Sequence, residues 1–525
     1  MSVAPGEHRE SVWLYALAGA LMTGTPVWHY LFVNRYPFSR PEAIALPLVA
    51  AVLGGALAAG GHRIGGLVES VVFGALLFIF VDLQFDLDKW IPLVILGMGC
   101  VALPWILRAR RAVLASITLG AFVLVSLPRP AATLASPRAE AAVPLNRTLP
   151  TLVHILLDEQ WGIGGLLAAG DSATAGFLER FYLQRGFEVY EAAYSRSQLT
   201  RQSIPELLAL GGPIDVEQLE RSRFRLRSNP YFERLRGLGY EIHIYESSHL
   251  DYCHATNVSV ASCEEVPAVS IANIGYLRGD WTARAVLAGR FFLNLNSGVY
   301  ARFHKDAGAW RRSFAGRGLA EIEDARAAIA AGRPTGSAYF VHLMLPHRPL
   351  EVDADCRMYP DLSQRVFPGE AEHLSDSSWR ARLALYGAQV RCVHRAIADL
   401  LTTLDDKVGR AGAIVIVHGD HGSRMSQQTP QTPGLSHLSS QQLNSAFSTL
   451  LAIRRPRVPP AIHPEAIPIQ AFLRELIRND FKGEVKAEWA HYVHLVSAES
   501  KLATADTLRG LAVSGMPWAH PIPPD

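Results

Sequence analysis

An aspartate and a histidine stand side by side where a run of β-branched residues ends. The residues Ile414 to Val417 are followed by His418 and then by Gly419-Asp420-His421-Gly422. Such a short apolar run predicts a buried parallel strand, and open α/β sheets bind their ligands at the carboxyl ends of such strands. The pair can also be an ordinary turn, so its chemistry depends on what neighbouring strands bring to it. The two glycines are expected to let backbone and metal approach closely.

A second acidic pair follows an earlier apolar run. Residues 152–157 are bounded by Pro150 on one side and by Asp158 and Glu159 on the other, which again predicts a strand with polar groups at its exit. Carboxylate oxygens combined with an imidazole nitrogen suit a divalent ion such as Zn²⁺ or Mn²⁺. Thr200 could supply a hydroxyl that such an ion activates as a nucleophile, or it could simply cap a helix beginning near Ser203.

Three other residues add cationic or metal-binding groups. His347 and Arg348 lie in a turn flanked by Pro346 and Pro349, which is either an anion-binding loop or a rigid connection, and His437 lies in Gly-Leu-Ser-His. His154, His342 and His418 are expected to be strand residues beside the site.

The elements that must position these residues alternate between strand and helix. Further strands are predicted at residues 187–190, 240–245, 337–345 and about 449–453. A helix is predicted through an apolar stripe that includes Leu383, Val390, Ile397 and Leu400, with Cys392 and His394 as packing or surface residues beside it. This alternation predicts an α/β domain with a mainly parallel, doubly wound sheet.

The amino-terminal part predicts a membrane region. Five apolar stretches, near residues 12–33, 42–60, 65–83, 90–107 and 112–127, each approach the length of a bilayer-spanning helix. The basic loop at residues 108–111 favours a cytoplasmic position, which places the amino terminus inside and everything after residue 128 outside. We therefore predict a transmembrane domain at residues 1–127, a Pro- and Ala-rich linker at 128–149, a catalytic domain at 150–479 and an extension of unknown role at 480–525.

Charge and cysteine content exclude some classes of protein. The formal net charge of +2 indicates no nucleic-acid partner. Five cysteines are too few for a disulfide scaffold. Cys253 and Cys263 could close a loop as a disulfide in an oxidising compartment or could be two buried thiols.

Taken together, these motifs resemble the alkaline phosphatase superfamily in its sulfatase-like branch, over roughly residues 150 to 460. The resemblance implies that Asp158, Asp420 and His421 bind one divalent metal ion, with Zn or Mn preferred and Ca or Mg as alternatives, and with Glu159 as a further ligand. It implies that Thr200 is the nucleophile, because Thr200 stands five residues before Pro205 as the transferase threonine does before its proline. His347, with Arg348 beside it, would contact the transferred anion, and His437 matches a later metal or substrate histidine.

One departure bears on the expected reaction. Sulfatases convert a Cys or Ser near Pro and Arg into formylglycine, and Thr200-Arg201-Gln202 offers no such motif. The amino-terminal spans look like those of lipoteichoic acid synthases and phosphoethanolamine transferases. We therefore expect a multi-pass protein of the inner or plasma membrane whose extracytoplasmic domain transfers a phospho-headgroup through a covalent threonine, using a membrane lipid or glycan substrate with an anionic phosphate or sulfate group. A phosphodiesterase or sulfuric-ester hydrolase of the same fold, and a non-catalytic membrane protein for binding or assembly, are the alternatives.

Overall fold

The structure, a computed structural model of the 525-residue chain, describes residues 11–85, 148–210, 228–247, 250–253, 258–266, 271–297, 314–359, 376–423, 440–483, 491–496 and 508–512, with single positions beside these ranges. The predicted spans at residues 90–107 and 112–127 lie almost entirely outside these ranges. The same holds for His437, nearly all of the linker and most of residues 480–525.

The helices are α1 (Val12–Val33), α2 (Glu42–Ile64), α3 (Gly66–Phe85), α4 (Ile163–Ala168), α5 (Ser172–Leu183), α6 (Thr200–Leu208), α7 (Pro230–Leu238), α8 (Ala272–Tyr276), α9 (Trp281–Asn296), α10 (Phe314–Ala331), α11 (Asp376–Val408), α12 (Ser440–Phe447) and α13 (Ile469–Arg478). The strands are β1 (Thr151–Leu157), β2 (Glu188–Tyr190), β3 (Ala193–Tyr194), β4 (Glu241–Ser247), β5 (Ser262–Val266), β6 (Ser337–Leu343), β7 (Ala413–Gly419), β8 (Leu451–Arg454), β9 (Ala461–His463), β10 (Ile467–Pro468), β11 (Tyr492–Val496) and β12 (Leu508–Ala512).

The chain packs as two compact units. The first unit is Met1–Ala135 with Val269–Ser313, and the second is Ser136–Ala268 with Phe314–Asp525. The predicted domain of residues 150–479 therefore does not coincide with one compact unit, because an internal stretch of about 45 residues packs with the amino-terminal helices.

The long helices of the first unit present apolar side chains outward. Among the described residues, α2 and the stretch Gly66–Leu83 of α3 have both the length and the hydropathy of membrane spans. Helix α1 has the length of a span but is not one of these two. Leu53, in the middle of α2, is 60% exposed, as expected for a side chain that faces lipid. Helices α1 and α2 approach closely, since a Cβ added to Gly54 would lie 2.4 Å from Gly19 O. Small residues at a helix contact are typical of membrane bundles.

The inserted stretch is held on these helices by buried polar contacts. Arg284 of α9 donates from Nε to Glu42 Oε1 at 2.6 Å and from Nη2 to Oε2 at 3.2 Å, and Tyr36 donates to the same carboxylate at 3.0 Å. Ser297 Oγ donates to Asp82 Oδ2 at 2.6 Å. Glu42 is completely buried, so its charge depends on these partners.

The second unit is built on an eight-stranded sheet with the strand order β5-β4-β6-β1-β7-β8-β2-β9. Strand β8 runs antiparallel to both neighbours, and the other neighbouring strands are parallel. Strands β1, β6 and β7 are buried along their whole length, which explains why their sequences are almost continuously apolar. The predicted α/β class with a mainly parallel sheet is confirmed.

The register places alternate residues of these three strands on one face. Leu156 of β1 lies between His342 of β6 and His418 of β7. This face belongs to a core to which α6, α7 and α13 contribute Ile204, Phe232 and Phe472. Helices α10 and α11 pack together, and α10 also packs on β4, β5 and β6.

The central strands lie where the apolar runs predicted them, within a few residues at each end. Strand β5 was not predicted because it is a partly exposed edge strand, Ser-Cys-Glu-Glu-Val, with no apolar run. The predicted helix is confirmed in α11, which is longer than its apolar stripe.

Two pairs of cysteines are joined. Cys253 pairs with Cys263, the pairing that the sequence left open, and Cys356 pairs with Cys392. The second pair was not predicted: Cys392 was interpreted as a packing or surface residue, because nothing in a separation of 36 residues identifies its partner.

Candidate metal centre

Three buried side chains from two strand exits converge. Asp158 follows β1, and Asp420 and His421 follow β7, which lies directly beside β1. One ligand atom from each residue lies within 4.8 Å of the others. His421 Nε2 is 3.1 Å from Asp420 Oδ2 and 3.8 Å from Asp158 Oδ1. Because parallel strands end at the same edge, residues more than 260 positions apart form one group.

The imidazole of His421 is oriented for binding through Nε2. Its Nδ1 lies 2.7 Å from the carbonyl oxygen of Gly422, so Nδ1 carries the hydrogen and donates it to that carbonyl. Nε2 therefore faces the two carboxylates.

Backbone N–H groups hold the carboxylate of Asp420. Its Oδ1 accepts from Glu159 N at 3.0 Å and from His421 N at 2.8 Å. Burial acts to raise the pKa of Asp420, but the charge of His421, the hydroxyl of Thr200 and the N–H of Glu159 outweigh it and hold the pKa below its ordinary value. Asp420 is therefore a carboxylate in a buried position.

Thr200 lies against the same group. It is the first residue of α6, and its Oγ1 is 3.3 Å from His421 Nε2. Its side chain makes no capping hydrogen bond to the helix, since the N-cap position is Leu199 and no side chain caps there. The simple capping interpretation of Thr200 is therefore wrong, and the hydroxyl faces Asp420 and His421 instead.

Glu159 lies next to Asp158 but has different partners. Its carboxylate is 3.5 Å from His347 Nε2 through Oε1 and 3.5 Å from Arg348 Nε through Oε2. It is absent from the three-residue group that the described residues form. Its predicted role as a further ligand stays a prediction, and what the structure adds is its contacts with the side chains of His347 and Arg348.

The two glycines around the Asp-His pair admit neighbouring backbone. A Cβ on Gly419 would lie 2.5 Å from Gln160 O, and a Cβ on Gly422 would lie 2.0 Å from Ser445 O. The expectation that these glycines let other backbone atoms approach closely is confirmed. The approaching backbone belongs to the loop after β1 at Gly419 and to α12 at Gly422.

Around the site, the sequence did not identify Tyr386, and it predicted His154, His342 and His418 as strand residues beside the site without their partners. Tyr386 of α11 donates to Glu159 O at 2.9 Å and accepts from Trp161 N at 2.8 Å, which fixes the acidic loop. Below the site, His154 Nε2 and His418 Nε2 lie 2.8 Å apart, and Tyr252 OH lies 2.9 Å from His342 Nδ1. Burial lowers the pKa of His418 to about 4. No motif identifies such partners, because they come from separate elements.

The donor set fits a divalent metal ion. Two carboxylates and an imidazole, all completely or almost completely buried, are the ligand types that Zn²⁺ and Mn²⁺ take. Burying three polar groups this close together, two of them acidic, also costs free energy unless a cation offsets the negative charge.

Sequence comparison finds no match: no family model matches the chain, and no curated protein matches it. Solved structures with a similar arrangement include the phosphonate monoester hydrolase of Agrobacterium radiobacter, with 11% identity, a TM-score of 0.42 and coverage of 66% of this chain and 79% of that one. A 2-O glycosaminoglycan sulfatase has 14% identity, a TM-score of 0.38 and coverage of 65% and 72%. The lipoteichoic acid synthase LtaP of Listeria monocytogenes has 10% identity, a TM-score of 0.36 and coverage of 63% and 71%. These neighbours are of the kinds that the motifs resemble.

Proposed function

We propose that this chain is a metal-dependent phosphotransferase that moves a phospho-headgroup through a covalent ester on Thr200. The observation that carries the proposal is the position of Thr200 Oγ1, 3.3 Å from His421 Nε2 and beside the group of Asp158, Asp420 and His421. A nucleophile of ordinary acidity needs such a setting to react at neutral pH.

In the proposed reaction Thr200 Oγ1 forms a bond to phosphorus while the bond from phosphorus to the donor alcohol breaks. The proton lost by the threonine hydroxyl leaves on that alcohol. A second alcohol then attacks the phospho-threonine, and Thr200 recovers its proton. A metal ion held by Asp158, Asp420 and His421 would lower the pKa of the threonine hydroxyl and offset negative charge on the phosphoryl oxygens.

In the proposal, His347 and Arg348 bind the anionic group. Both lie 3.5 Å from the buried carboxylate of Glu159, which fixes their side chains, and both remain partly exposed. In the proposal they contact the equatorial oxygens of the transferred group. His437 retains its predicted substrate or metal role, outside the described residues.

The proposed location is the extracytoplasmic side of the inner or plasma membrane. The apolar outward faces of α2 and α3 support membrane insertion. The two disulfides of the second unit support an oxidising compartment. A lipid headgroup donor fits that location, and a lipid or glycan alcohol is the proposed acceptor.

The first prediction concerns Thr200. Thr200→Ala should abolish turnover and leave metal content unchanged, because the three proposed ligands remain. The measurement is metal analysis of the purified full chain, combined with mass spectrometry of the Thr200 peptide after incubation with total membrane lipid. The wild-type peptide should carry a phospho-group adduct.

Ser203→Ala is the matched control, since Ser203 is a buried hydroxyl one turn later on α6. It should retain both activity and adduct. A Thr200→Ala protein that still turns over would disprove the nucleophile assignment. If water resolves the adduct as fast in the absence of an added alcohol as in its presence, the enzyme is a hydrolase of the same fold.

A further inference from the structure

Helix α9 has one face buried against the first unit and a second face exposed. Leu287, Phe291 and Phe292 are each less than 9% exposed, as is Arg284. Around the helix, Val286 lies roughly 155° and Arg290 roughly 115° from the mean direction of these four side chains. Val286 is 56% exposed and Arg290 is exposed as well. The exposed face is therefore not the polar face of an ordinary surface helix.

The contacts of α9 all fall near one end of the three long helices. Arg284 pairs with Glu42, the first residue of α2, and a Cβ on Gly289 would lie 3.8 Å from Leu46 one turn later. The rings of Phe292 and Tyr30 lie 5.2 Å apart and are tilted by 58°, and Tyr30 is three residues before the end of α1. Ser297, directly after α9, bonds to Asp82, three residues before the end of α3.

These positions fix the depth at which α9 lies. At a rise of about 1.5 Å per residue, each contact is within roughly 6 Å of a helix end. The end of α1, the start of α2 and the end of α3 belong to the same side of a bundle with alternating direction. Helix α9 therefore crosses that side at the level of the last helical turn, which in a membrane is the headgroup region.

The exposed residues suit that region. Trp281, at the start of α9, is 44% exposed, and Trp is enriched at membrane interfaces. Arg278 and Arg290 are both exposed and can contact anionic headgroups while apolar side chains between them enter the acyl boundary.

We propose that α9 is an interfacial helix whose exposed face, marked by Val286 and Arg290, binds the surface of a bilayer that contains anionic lipids, with Trp281 exposed at its first turn. The inference rests on the proposed membrane insertion of α1 to α3 and deepens it, since it assigns a lipid-binding surface to a segment inserted in the sequence of the second unit. The fixed docking by Arg284 and Glu42 holds this face at one depth.

The second prediction tests this depth directly. In the full chain with Cys100→Ser, a nitroxide spin label is placed on Val286→Cys in bilayers with and without phosphatidylglycerol. For each label, the measured quantity is the ratio of its collision rate with oxygen to its collision rate with a water-soluble nickel chelate. This ratio should be several-fold higher for the Val286 label than for a label on Ala327→Cys, an exposed position on α10 of the second unit. Arg290→Gln should move the Val286 label toward water in the anionic bilayer.

A third label separates the possible failures. A label on Leu53→Cys, in the middle of α2, should lie deep in the acyl region if α2 spans the membrane. A deep Leu53 label combined with a Val286 label as water-exposed as Ala327 would overturn the inference and leave membrane insertion intact. Neither result depends on turnover, so loss of the proposed reaction would not affect this test.

Discussion

A single phenol holds the backbone on which two candidate site residues lie. Tyr386 is completely buried apart from 1% of its surface, and its hydroxyl both donates to Glu159 O and accepts from Trp161 N. Glu159 has a positive φ of 60°, a conformation that a non-glycine residue keeps only when its surroundings hold it. The acidic loop therefore depends on a hydrogen bond from a helix more than 220 residues away.

The third prediction follows from this contact. Tyr386→Phe should leave Glu159 O and Trp161 N without their partner and weaken metal binding by about 10-fold or more, as removal of an orienting hydrogen bond commonly does. Metal affinity is measured by competition with a chelator. Tyr182→Phe removes another buried phenol hydroxyl, bonded to His394, and should leave metal affinity unchanged. Equal affinity in the Tyr386→Phe and wild-type proteins would contradict the role.

Residue chemistry was the part of the site that the sequence predicted best. Asp158, Asp420 and His421 follow strands whose apolar runs are unmistakable, and adjacent parallel strands bring their ends together. The sequence could not identify Tyr386 as a residue beside the site, because it is one of several residues on the apolar stripe of α11. The carboxylate of Glu159 was placed at the right loop, but sequence alone does not say that it turns toward His347 and Arg348.

At the scale of elements, helix α11 joins the sheet, a disulfide and a buried imidazole. Cys392 on this helix pairs with Cys356, and His394 is buried between Tyr182 OH at 2.9 Å and Val390 O at 2.8 Å. The periodicity of the helix was predictable, yet these partners were not. They depend on how the helix packs, which a one-dimensional pattern does not contain.

The fourth prediction concerns acid stability. Burial lowers the pKa of His394 to about 4, from the ordinary value of 6.5. In that interval the unfolded chain binds a proton that the folded protein does not, so the free energy of unfolding falls as the pH falls from 6.5 to 4, by about 3 kcal/mol from this group. His394→Gln should make that decline shallower, as measured by thermal unfolding midpoints of the metal-free protein across this pH range.

Tyr182→Phe serves as the control for the acid effect. It removes the hydrogen bond to His394 but retains the titrating ring, so the whole curve should shift downward and keep its slope. An unchanged slope in His394→Gln would show that other groups cause the acid sensitivity.

At the scale of the whole molecule, the buried pair of Glu42 and Arg284 joins parts of the chain that are 242 residues apart. No local pattern reveals such a pair: Arg284 follows an ordinary helix start at Asp280, and Glu42 lies at the start of an apolar stretch. The boundary of the two units was therefore the feature that the sequence described least well, whereas the existence of an apolar region followed by an α/β region was clear from composition.

The fifth prediction uses this pair. Arg284→Gln leaves a buried carboxylate without its main partner, and should lower the stability of the first unit by roughly 3–5 kcal/mol. The double variant Glu42→Gln and Arg284→Gln should recover much of that loss, because the uncompensated charge is gone. Thermal unfolding in detergent measures both. Arg395→Gln breaks an exposed pair with Asp355 and should change little. Equal losses in the single and double variants would contradict the coupling.

The same pair has a consequence for biosynthesis. Helices α1 to α3 are synthesised nearly 200 residues before Arg284, and Asp82 likewise precedes its partner Ser297 by 215 residues. If the chain is inserted into a membrane in order from its amino end, as proposed, the first unit would not be complete until α9 is synthesised. The carboxylates of Glu42 and Asp82 would then stay hydrated at the helix ends until α9 is synthesised. An amino-terminal fragment ending near residue 135 would therefore be an assembly intermediate and not a finished domain.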